Sequence, residues 1–329
     1  MNCKPILLVA GEPNSVFLEI FFKSLKNKKF KSPLILIVSS KVLKLQMKKL
    51  NFKKKIRFID PKKIKKYEID NRSINVIDIK YNPRKTFEKI SSKSKIYIEN
   101  SFKVAIQIVK SGVTRKLING PISKKKFLNK KYPGITEYLA NQFKKKKFAM
   151  LIYNENLSVC PITTHLALKD VAKKINKKSI IEKVILIDNF YKTFFKIKPR
   201  IALTGLNPHC ESVKDSNEDT LILKPTVKYL YNLGYKVFGP FPSDTIFMKN
   251  NRDNYNVILG MYHDQVLTPM KTMFEFDAIN ITLGLPLIRI SPDHGPNEDM
   301  LGKNLSNPLS LIKAINFLDK IKWLKQKKV

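Results

Sequence analysis

Residues 4–40 read KPILLVAGEPNSVFLEIFFKSLKNKKFKSPLILIVSS, and their pattern of apolar and polar residues indicates the class of fold. Two short apolar runs, 4–10 and 33–40, have the length of buried strands and are bounded by Gly, Pro and Ser. Between them, residues 15–28 place apolar side chains at helical spacing. A strand, a helix and a second strand in this order predict a parallel sheet with a crossover helix.

The same alternation continues to the end of the chain. It predicts further strands at 116–120, 200–206 and 256–263, a hairpin over 149–163, β-branched extended segments within 278–292, and helices at 100–112, 166–175, 180–195, 219–234 and 308–324. We therefore expect an α/β architecture with a largely parallel sheet. No internal repeat or low-complexity linker interrupts the pattern.

The length of the chain predicts two lobes, because 329 residues exceed the usual size of a single core. Pro133 and Gly134 interrupt the pattern after a basic segment, so a boundary is expected near residue 130. We expect residues 1–130 with 300–329 to form a first α/β lobe. Residues 131–299 would then form a second.

Composition predicts a soluble, cytoplasmic protein without a membrane partner. No window approaches the roughly 18 consecutive apolar residues that a membrane span requires, and the apolar run at the start is too short for a signal peptide. The three cysteines are odd in number and lack CxxC spacing, which argues against a disulfide framework. Cys210, beside a histidine, is interpreted as a packing residue rather than a nucleophile.

The formal charge of +37 raises the question of nucleic-acid binding. Only seven of the 63 basic residues are Arg, the residue that bidentate base and phosphate recognition favours. The lysines are spread along the chain in several runs rather than confined to one stripe. This distribution favours solvated surfaces over a nucleic-acid footprint, although such a charge would still attract an anionic substrate.

Three of the four histidines stand just beyond strand-like runs. His165 follows VCPITT, His209 follows ALTGLNP and His263 follows VILGMY. In an open parallel sheet the carboxyl ends of the strands line the ligand crevice, so three imidazoles could converge there on a divalent metal such as Zn²⁺. Each histidine could equally be a hydrogen-bonded structural residue. Asp264 could orient an imidazole, join a metal shell or simply fill a turn after the strand.

Two basic residues are candidate anion anchors. Arg289 lies inside the apolar stretch LGLPLIRIS, where a buried guanidinium requires a partner, and Lys271 is a second possible anchor. The polar segment 293–303 is a candidate loop before the last helix. Neither GxGxxG nor GxxxxGK[ST] occurs, which excludes a standard dinucleotide fingerprint and a P-loop.

Several motifs together resemble one family. GEP, NGPISK, GITEYLA, ITTHLALKDV, LNPHC, GPFPSDTIF, MYHDQVLTPMK, NITLGLPLIRISPDHG and LGK occur in this order between about residues 9 and 320. They are similar to the 4-hydroxythreonine-4-phosphate dehydrogenase family of vitamin B6 biosynthesis. The resemblance implies an isocitrate/isopropylmalate dehydrogenase-like architecture, with an active-site cleft between two α/β lobes and NAD bound without the glycine fingerprint.

The resemblance also implies a homodimer whose shared active site is completed by the partner subunit, with the metal and dimer contacts carried by the second lobe. One divalent cation, Zn, Mg or Co, would be held by three histidines, one of them from the partner. The implied metal ligands are His165, His209 and His263; the substrate contacts are Thr136, Lys271, Asn280 and Arg289; the catalytic residues are Lys271 and Asp244; and the contacts to NAD or NADP are His294, Gly295 and Asn297.

For such an enzyme the implied reaction is oxidation of 4-phosphooxy-L-threonine to a β-keto acid that decarboxylates to 3-amino-2-oxopropyl phosphate. The chain departs from the family pattern at Ile135, where the family has His, in the GEPNSVF segment, and at Pro296 and Asn297. Two alternatives therefore stay open. One is a dehydrogenase of 4-phosphoerythronate or 4-phosphothreonate, and the other is a non-catalytic basic protein that binds nucleic acid or another polyanion.

Overall fold

The structure is a computed structural model, and it describes residues 3–123, 127, 132, 134–211, 216–292 and 295–321. Contacts divide the chain into two compact units, the first made of Met1–Leu139 with Pro286–Ile321 and the second containing Ala140–Leu285. The predicted limits at residues 130 and 299 assigned Arg289 to the second lobe, whereas its strand pairs in parallel with a strand of the first unit. Among the described residues, no helix combines the length and apolar character that a membrane crossing requires.

The strands and helices alternate along most of the chain. In chain order the strands are β1 Ile6–Val9, β2 Leu34–Val38, β3 Ile56–Phe58, β4 Ile74–Asp78, β5 Lys116–Asn119, β6 Ala149–Tyr153, β7 Ser158–Pro161, β8 Ile201–Thr204, β9 Val237–Phe241, β10 Val257–Gly260, β11 Ile279–Leu283 and β12 Ile288–Pro292. The helices are α1 Phe17–Asn27, α2 Ser40–Lys49, α3 Lys95–Lys110, α4 Ile135–Gln142, α5 Lys177–Phe194, α6 Lys224–Asn232, α7 Lys249–Arg252, α8 His263–Phe274 and α9 Leu309–Lys320. The predicted α/β class is confirmed.

The first unit is built on parallel strands in the order β3-β4-β2-β1-β5-β12. The opening strand–helix–strand prediction is confirmed, since Ile6 lies opposite Leu34 in a parallel pair and α1 connects the two strands. Every residue of β1 and β2 is buried. Continuous apolar strands of this kind are expected where both faces of a sheet are covered.

The second unit has the strand order β11-β6-β7-β10-β8-β9. The predicted hairpin is confirmed: β6 and β7 are antiparallel, and the Asn154 side chain accepts a hydrogen bond from the amide of Asn156 in the turn. The pairs β7–β10, β10–β8 and β8–β9 are parallel. The carboxyl ends of β7, β10 and β8 therefore lie side by side at one edge of this part of the sheet.

Two local predictions are wrong. Residues 166–175 form two 3₁₀ turns, Leu168–Asp170 and Ala172–Lys174, instead of a helix. Within this segment Val171 and Ile175 are buried but Leu166 and Leu168 are exposed, so a longer helix would bury little further apolar surface. His263, placed by the pattern at the end of a strand, is instead the first residue of α8, because β10 ends at Gly260 and the extended Tyr262 precedes the helix.

Candidate active site

The three candidate metal ligands follow three adjacent strands of the second unit. His165 lies beyond β7, His263 beyond β10 and His209 beyond β8, and β10 pairs with both of the others. Neighbouring strands are about 4.8 Å apart, so the loops that carry these histidines leave the sheet next to one another. Each of the three imidazoles thus lies beyond the carboxyl end of a strand, as expected from the sequence.

The structure brings two of the three imidazoles together. The ring centroids of His165 and His263 are 6.1 Å apart. Nδ1 of His263 lies 2.6 Å from Oδ1 of Asp264, the next residue in the first turn of α8. This contact orients the ring and leaves Nε2 of His263 directed away from the carboxylate, which is the role foreseen for Asp264.

His209 occupies a strained turn. It is exposed and has a φ of 57°, and Cys210, with a φ of 60°, is left-handed as well. Asp219 stabilises the chain just before this turn, because its carboxylate accepts hydrogen bonds from the amides of Leu206 at 2.8 Å and Asn207 at 3.0 Å. Burial raises the pKa of the Cys210 thiol to about 11, which supports its interpretation as a packing residue.

Gln265 joins two of the histidine loops. Its Oε1 accepts hydrogen bonds from the amide of Met261 at 2.7 Å and from the hydroxyl of Thr204 at 2.8 Å, while its Nε2 donates to the carbonyl of Gly205 at 2.8 Å. Met261 precedes His263, and Thr204 ends the strand that leads to His209. One buried amide therefore fixes the two strand ends relative to each other.

A threonine attaches the third loop to the same strand end. The hydroxyl of Thr163, two residues before His165, donates to the carbonyl of Met261 at 2.8 Å, and its amide donates to the same oxygen at 3.2 Å. Thr163 is buried. The backbone ahead of His165 is therefore tied to the backbone ahead of His263, which accounts for the proximity of the two rings.

The donor set fits a divalent cation in part. Metal–nitrogen bonds of about 2.1 Å allow two imidazoles at the observed spacing of His165 and His263 to share one ion. Within the described ranges, however, no three His, Cys, Asp or Glu side chains are grouped closely enough to hold a metal. The pair supplies two nitrogen ligands, and the third ligand predicted for this site, His209, is not part of a three-residue cluster.

Arg289 is the centre of a polar cluster in the first unit. The residue has no exposed surface, and its Nε donates to Oδ1 of Asn119 at 2.7 Å, while Nη1 donates to the Thr136 hydroxyl at 3.3 Å. Burial lowers the pKa of Arg289 to about 9, an effect that nearby Glu137 opposes, so the guanidinium is charged at neutral pH. The buried guanidinium is therefore accompanied by neutral oxygens of Asn119 and Thr136 and by the nearby carboxylate of Glu137.

The other predicted site residues belong to the second unit. Lys271 is half-buried in α8, eight residues after His263. Asn280 is half-buried on β11, and its Oδ1 has no hydrogen-bond partner among the described residues. Asp244 is exposed in the turn after β9.

The predicted cofactor segment packs within the first unit. The carbonyl of Pro296 accepts a hydrogen bond at 3.2 Å from the amide of Val16, which lies within the GEPNSVF segment. The exposed Asn297 has a φ of 50°, and Gly295 is exposed as well. His294, the third residue expected to contact the cofactor, lies outside the described residues.

Sequence reasoning missed the residues that position the histidines and the arginine. Gln265 and Thr163 are two residues from His263 and His165, and Asn119 is the last residue of β5. Each is a buried polar residue at or just beyond a strand carboxyl end. That placement was the available signal, because a polar side chain in such a position needs a hydrogen-bond partner.

Comparisons with known proteins agree on one family. The model of a family described as "Pyridoxal phosphate biosynthetic protein PdxA" matches residues 29–318. A 4-hydroxythreonine-4-phosphate dehydrogenase from Sulfurihydrogenibium sp. (strain YO3AOP1) is 36% identical over 320 residues, covering 94% of this chain and 96% of that protein. A D-threonate 4-phosphate dehydrogenase from Salmonella typhimurium (strain LT2) is 30% identical over 307 residues, covering 91% and 93%.

Solved structures give the same result for the fold. The crystal structure of 4-hydroxythreonine-4-phosphate dehydrogenase from Klebsiella pneumoniae superposes with a TM-score of 0.82 at 28% identity, covering 96% of this chain and 98% of the other. A terephthalate 1,2-cis-dihydrodiol dehydrogenase from Burkholderia xenovorans LB400 has a TM-score of 0.63 at 19% identity and covers 97% and 98%, which extends the likeness of fold alone.

The role of Gln265 as the link between two strand ends can be tested with Gln265→Met, which keeps a similar volume and removes all three hydrogen bonds. The Met261 amide, the Thr204 hydroxyl and the Gly205 carbonyl would lose their partner. We expect the free energy of unfolding, measured by urea titration, to fall by about 2–4 kcal/mol.

The matched control is Gln107→Met, on an exposed position of α3. This change should alter stability by less than about 0.5 kcal/mol. Equal losses in the two variants would contradict the role assigned to Gln265.

Proposed function

Since this chain belongs to the family of the pyridoxal phosphate biosynthetic protein PdxA, we propose that it oxidises 4-phosphooxy-L-threonine with NAD and releases 3-amino-2-oxopropyl phosphate. The observation that carries the proposal is the 36% identity to a 4-hydroxythreonine-4-phosphate dehydrogenase over nearly the whole of both chains. The fixed Arg289 cluster and the paired imidazoles supply the residue types that this chemistry needs.

Binding of the substrate anion is the first task that the residues support. The guanidinium of Arg289 is oriented by hydrogen bonds to Asn119 and Thr136, and its positive charge attracts a phosphate or carboxylate. Thr136 is the second residue of α4, and the first N–H groups of a helix favour an anion. We propose that these groups, with Lys271 and Asn280, hold the two anionic ends of the substrate.

The proposed reaction is an oxidation followed by a decarboxylation. The C3 alcohol loses a hydride and a proton to become a ketone, and the resulting β-keto acid loses its carboxylate as CO₂, with a proton returning to the carbon left behind. When bound, NAD or NADP accepts the hydride and a divalent cation polarises the reacting oxygen. In this proposal His165, His209 and His263 hold that cation, and a homodimer supplies one of the three from the partner subunit.

Proton transfer falls to residues around His263. Asp264 fixes the ring through Nδ1, which keeps Nε2 available as a ligand. Lys271 follows His263 by eight residues on α8, which corresponds to about 12 Å along the helix axis. We propose that Lys271 returns the proton after CO₂ leaves, with Asp244 as an acidic residue close to the reacting groups.

The cofactor contacts expected at His294, Gly295 and Asn297 are also part of the proposal. The hydrogen bond between Val16 and Pro296 connects this segment to the GEPNSVF segment after β1, within the first unit. Glu298 accepts a hydrogen bond from the Ile90 amide at 3.2 Å, which fixes the segment on its other side. This arrangement supports a cofactor-binding role for residues 295–298.

A second substrate is favoured by one specific finding. A D-threonate 4-phosphate dehydrogenase is 30% identical to this chain over most of both lengths. Threonate carries a hydroxyl where threonine carries an ammonium group. Ile135, which begins α4 beside Thr136, offers neither of them a polar contact.

We expect purified protein to form NADH with 4-phosphooxy-L-threonine at least tenfold faster than with 4-phospho-D-threonate, measured as kcat/KM by absorbance at 340 nm. Chelation should abolish turnover, and Zn²⁺, Mg²⁺ or Co²⁺ should restore it, because the cation stabilises charge on the reacting oxygen. The reverse preference would identify the threonate enzyme. No turnover with either compound, together with salt-sensitive RNA binding, would support the polyanion-binding alternative.

His209→Ala tests the metal assignment by a measurement independent of activity. We expect the metal content per chain, measured by mass spectrometry after loading and desalting, to fall at least fivefold while the melting temperature of the metal-free protein is unchanged. His294→Ala is the matched control and should keep its metal, since His294 is assigned to the cofactor. Unchanged metal content in the His209 variant would refute the ligand assignment.

Asn280→Ala tests the substrate contact on β11. Because Oδ1 has no hydrogen-bond partner among the described residues, its loss should leave the melting temperature unchanged and raise KM for the phosphorylated substrate at least tenfold. Asn250→Ala, on the exposed face of α7, is the control and should change neither quantity. A lower melting temperature with normal KM would show that Asn280 is structural.

A further inference from the structure

A cavity of about 260 Å³ opens in the first unit, apart from the Arg289 cluster. Its lining combines cationic, amide and phenol groups from residues 80–97: Lys80, Tyr81, Asn82, Arg84, Lys93 and Tyr97. Glu88 and Ile96 complete the wall. We call it the Tyr97 cavity.

The Tyr97 cavity lies at the carboxyl ends of two parallel strands. Lys80 follows the end of β4, and Ser39, which follows β2, donates from its hydroxyl to the carbonyl of Tyr81 at 3.0 Å. Ligands of open α/β sheets bind at this edge. Three strand spacings separate β2 from the strand of Arg289, which corresponds to about 14 Å and makes this a second site.

Three cationic side chains face the cavity without competing partners. Lys80, Arg84 and Lys93 make no side-chain hydrogen bond or ion pair within the part of the chain that the structure describes. The carboxylate of Glu88 is engaged by the backbone amide of Arg84 at 2.5 Å. The lining therefore has a net charge of +2 and holds an arginine, which is scarce in this chain.

Two tyrosines form the inner wall. Their ring centroids are 5.3 Å apart, and Tyr97 is 2% exposed, yet its hydroxyl oxygen has no hydrogen-bond partner among the described residues. Burial raises the pKa of both phenols, with the nearby carboxylate of Glu12 acting in the same direction. Both hydroxyls are therefore protonated at neutral pH, and a buried donor of this kind calls for an acceptor.

We propose that the Tyr97 cavity binds a phosphomonoester group, held by Lys80, Arg84 and Lys93 and accepting hydrogen bonds from the tyrosine hydroxyls. Phosphate suits this lining because it offers several acceptor oxygens and up to two negative charges. The volume is below that of a typical drug-sized site, so it admits one phosphate with a small body attached. The phosphate could belong to a small metabolite or to the 2′-position of NADP, and the proposal does not depend on the dehydrogenase activity.

Titration calorimetry at fixed ionic strength tests the proposal with glycerol 3-phosphate, with glycerol as its uncharged control, and with NADP⁺ against NAD⁺. We expect Arg84→Met to weaken binding of glycerol 3-phosphate, of NADP⁺, or of both at least tenfold, without changing binding of glycerol or NAD⁺. Loss confined to NADP⁺ would assign the site to the cofactor's 2′-phosphate. Loss of glycerol 3-phosphate binding would assign it to a free metabolite.

Two further variants separate a built site from diffuse charge. Tyr97→Phe removes only the unpartnered oxygen, so it should weaken phosphate binding at least threefold without lowering the melting temperature of the ligand-free protein. Lys89→Met removes one charge from the same exposed segment outside the cavity lining and should keep wild-type affinity. Two results would overturn the proposal. In the first, the Arg84 and Tyr97 variants bind every phosphomonoester as tightly as the wild-type protein does. In the second, the Lys89 variant loses as much affinity as the Arg84 variant.

Discussion

Strands that are covered on both faces can present polar side chains to a ligand only at their ends. In both units the central strands are buried along their whole length, so a polar residue within them would need a partner inside the protein. Arg289 obeys this rule, since Asn119 and Thr136 hold its guanidinium. The three histidines lie just beyond β7, β8 and β10, so their imidazoles are not buried within the sheet and need no partner there. The positions of the three histidines and of the Tyr97 cavity follow from this constraint.

Much of the fold could be read from the chain because the strands are apolar runs of uniform character. The 4–40 segment has one plausible arrangement, and the hairpin at 149–163 carries its own turn residues. The errors lie where contacts between distant parts of the chain determine the local secondary structure. Leu168 has helical neighbours in sequence but no surface to pack against, and it is 70% exposed. The start of α8 at His263 depends on where β10 stops pairing with its neighbours, which no local pattern reveals.

Only those site residues whose amino-acid type is rare in this chain could be predicted from the sequence. Four histidines and seven arginines in a lysine-rich chain are few enough for their positions to carry information, and these residue types led to His165, His263 and Arg289. Amides and hydroxyls are too common for that reasoning. Except for the bond from Gln265 to the nearby Met261 amide, Gln265, Thr163 and Asn119 act through partners that are between 60 and 170 positions away in sequence. Their roles became visible only when the strands were brought side by side.

Gln265 gives the second unit an unusual mechanical property. The Gln265 side chain forms hydrogen bonds both with the backbone ahead of His263 and with the end of β8. A displacement of the His263 loop or of the end of β8 would therefore strain the bonds of the other. Thr163 couples the His165 loop to the same carbonyl-bearing residue, Met261. The backbone positions from which the three histidine loops start are therefore fixed relative to one another by hydrogen bonds. An inhibitor that matches the existing spacing of His165 and His263 would leave these bonds intact, whereas one that displaces either strand end would have to break them.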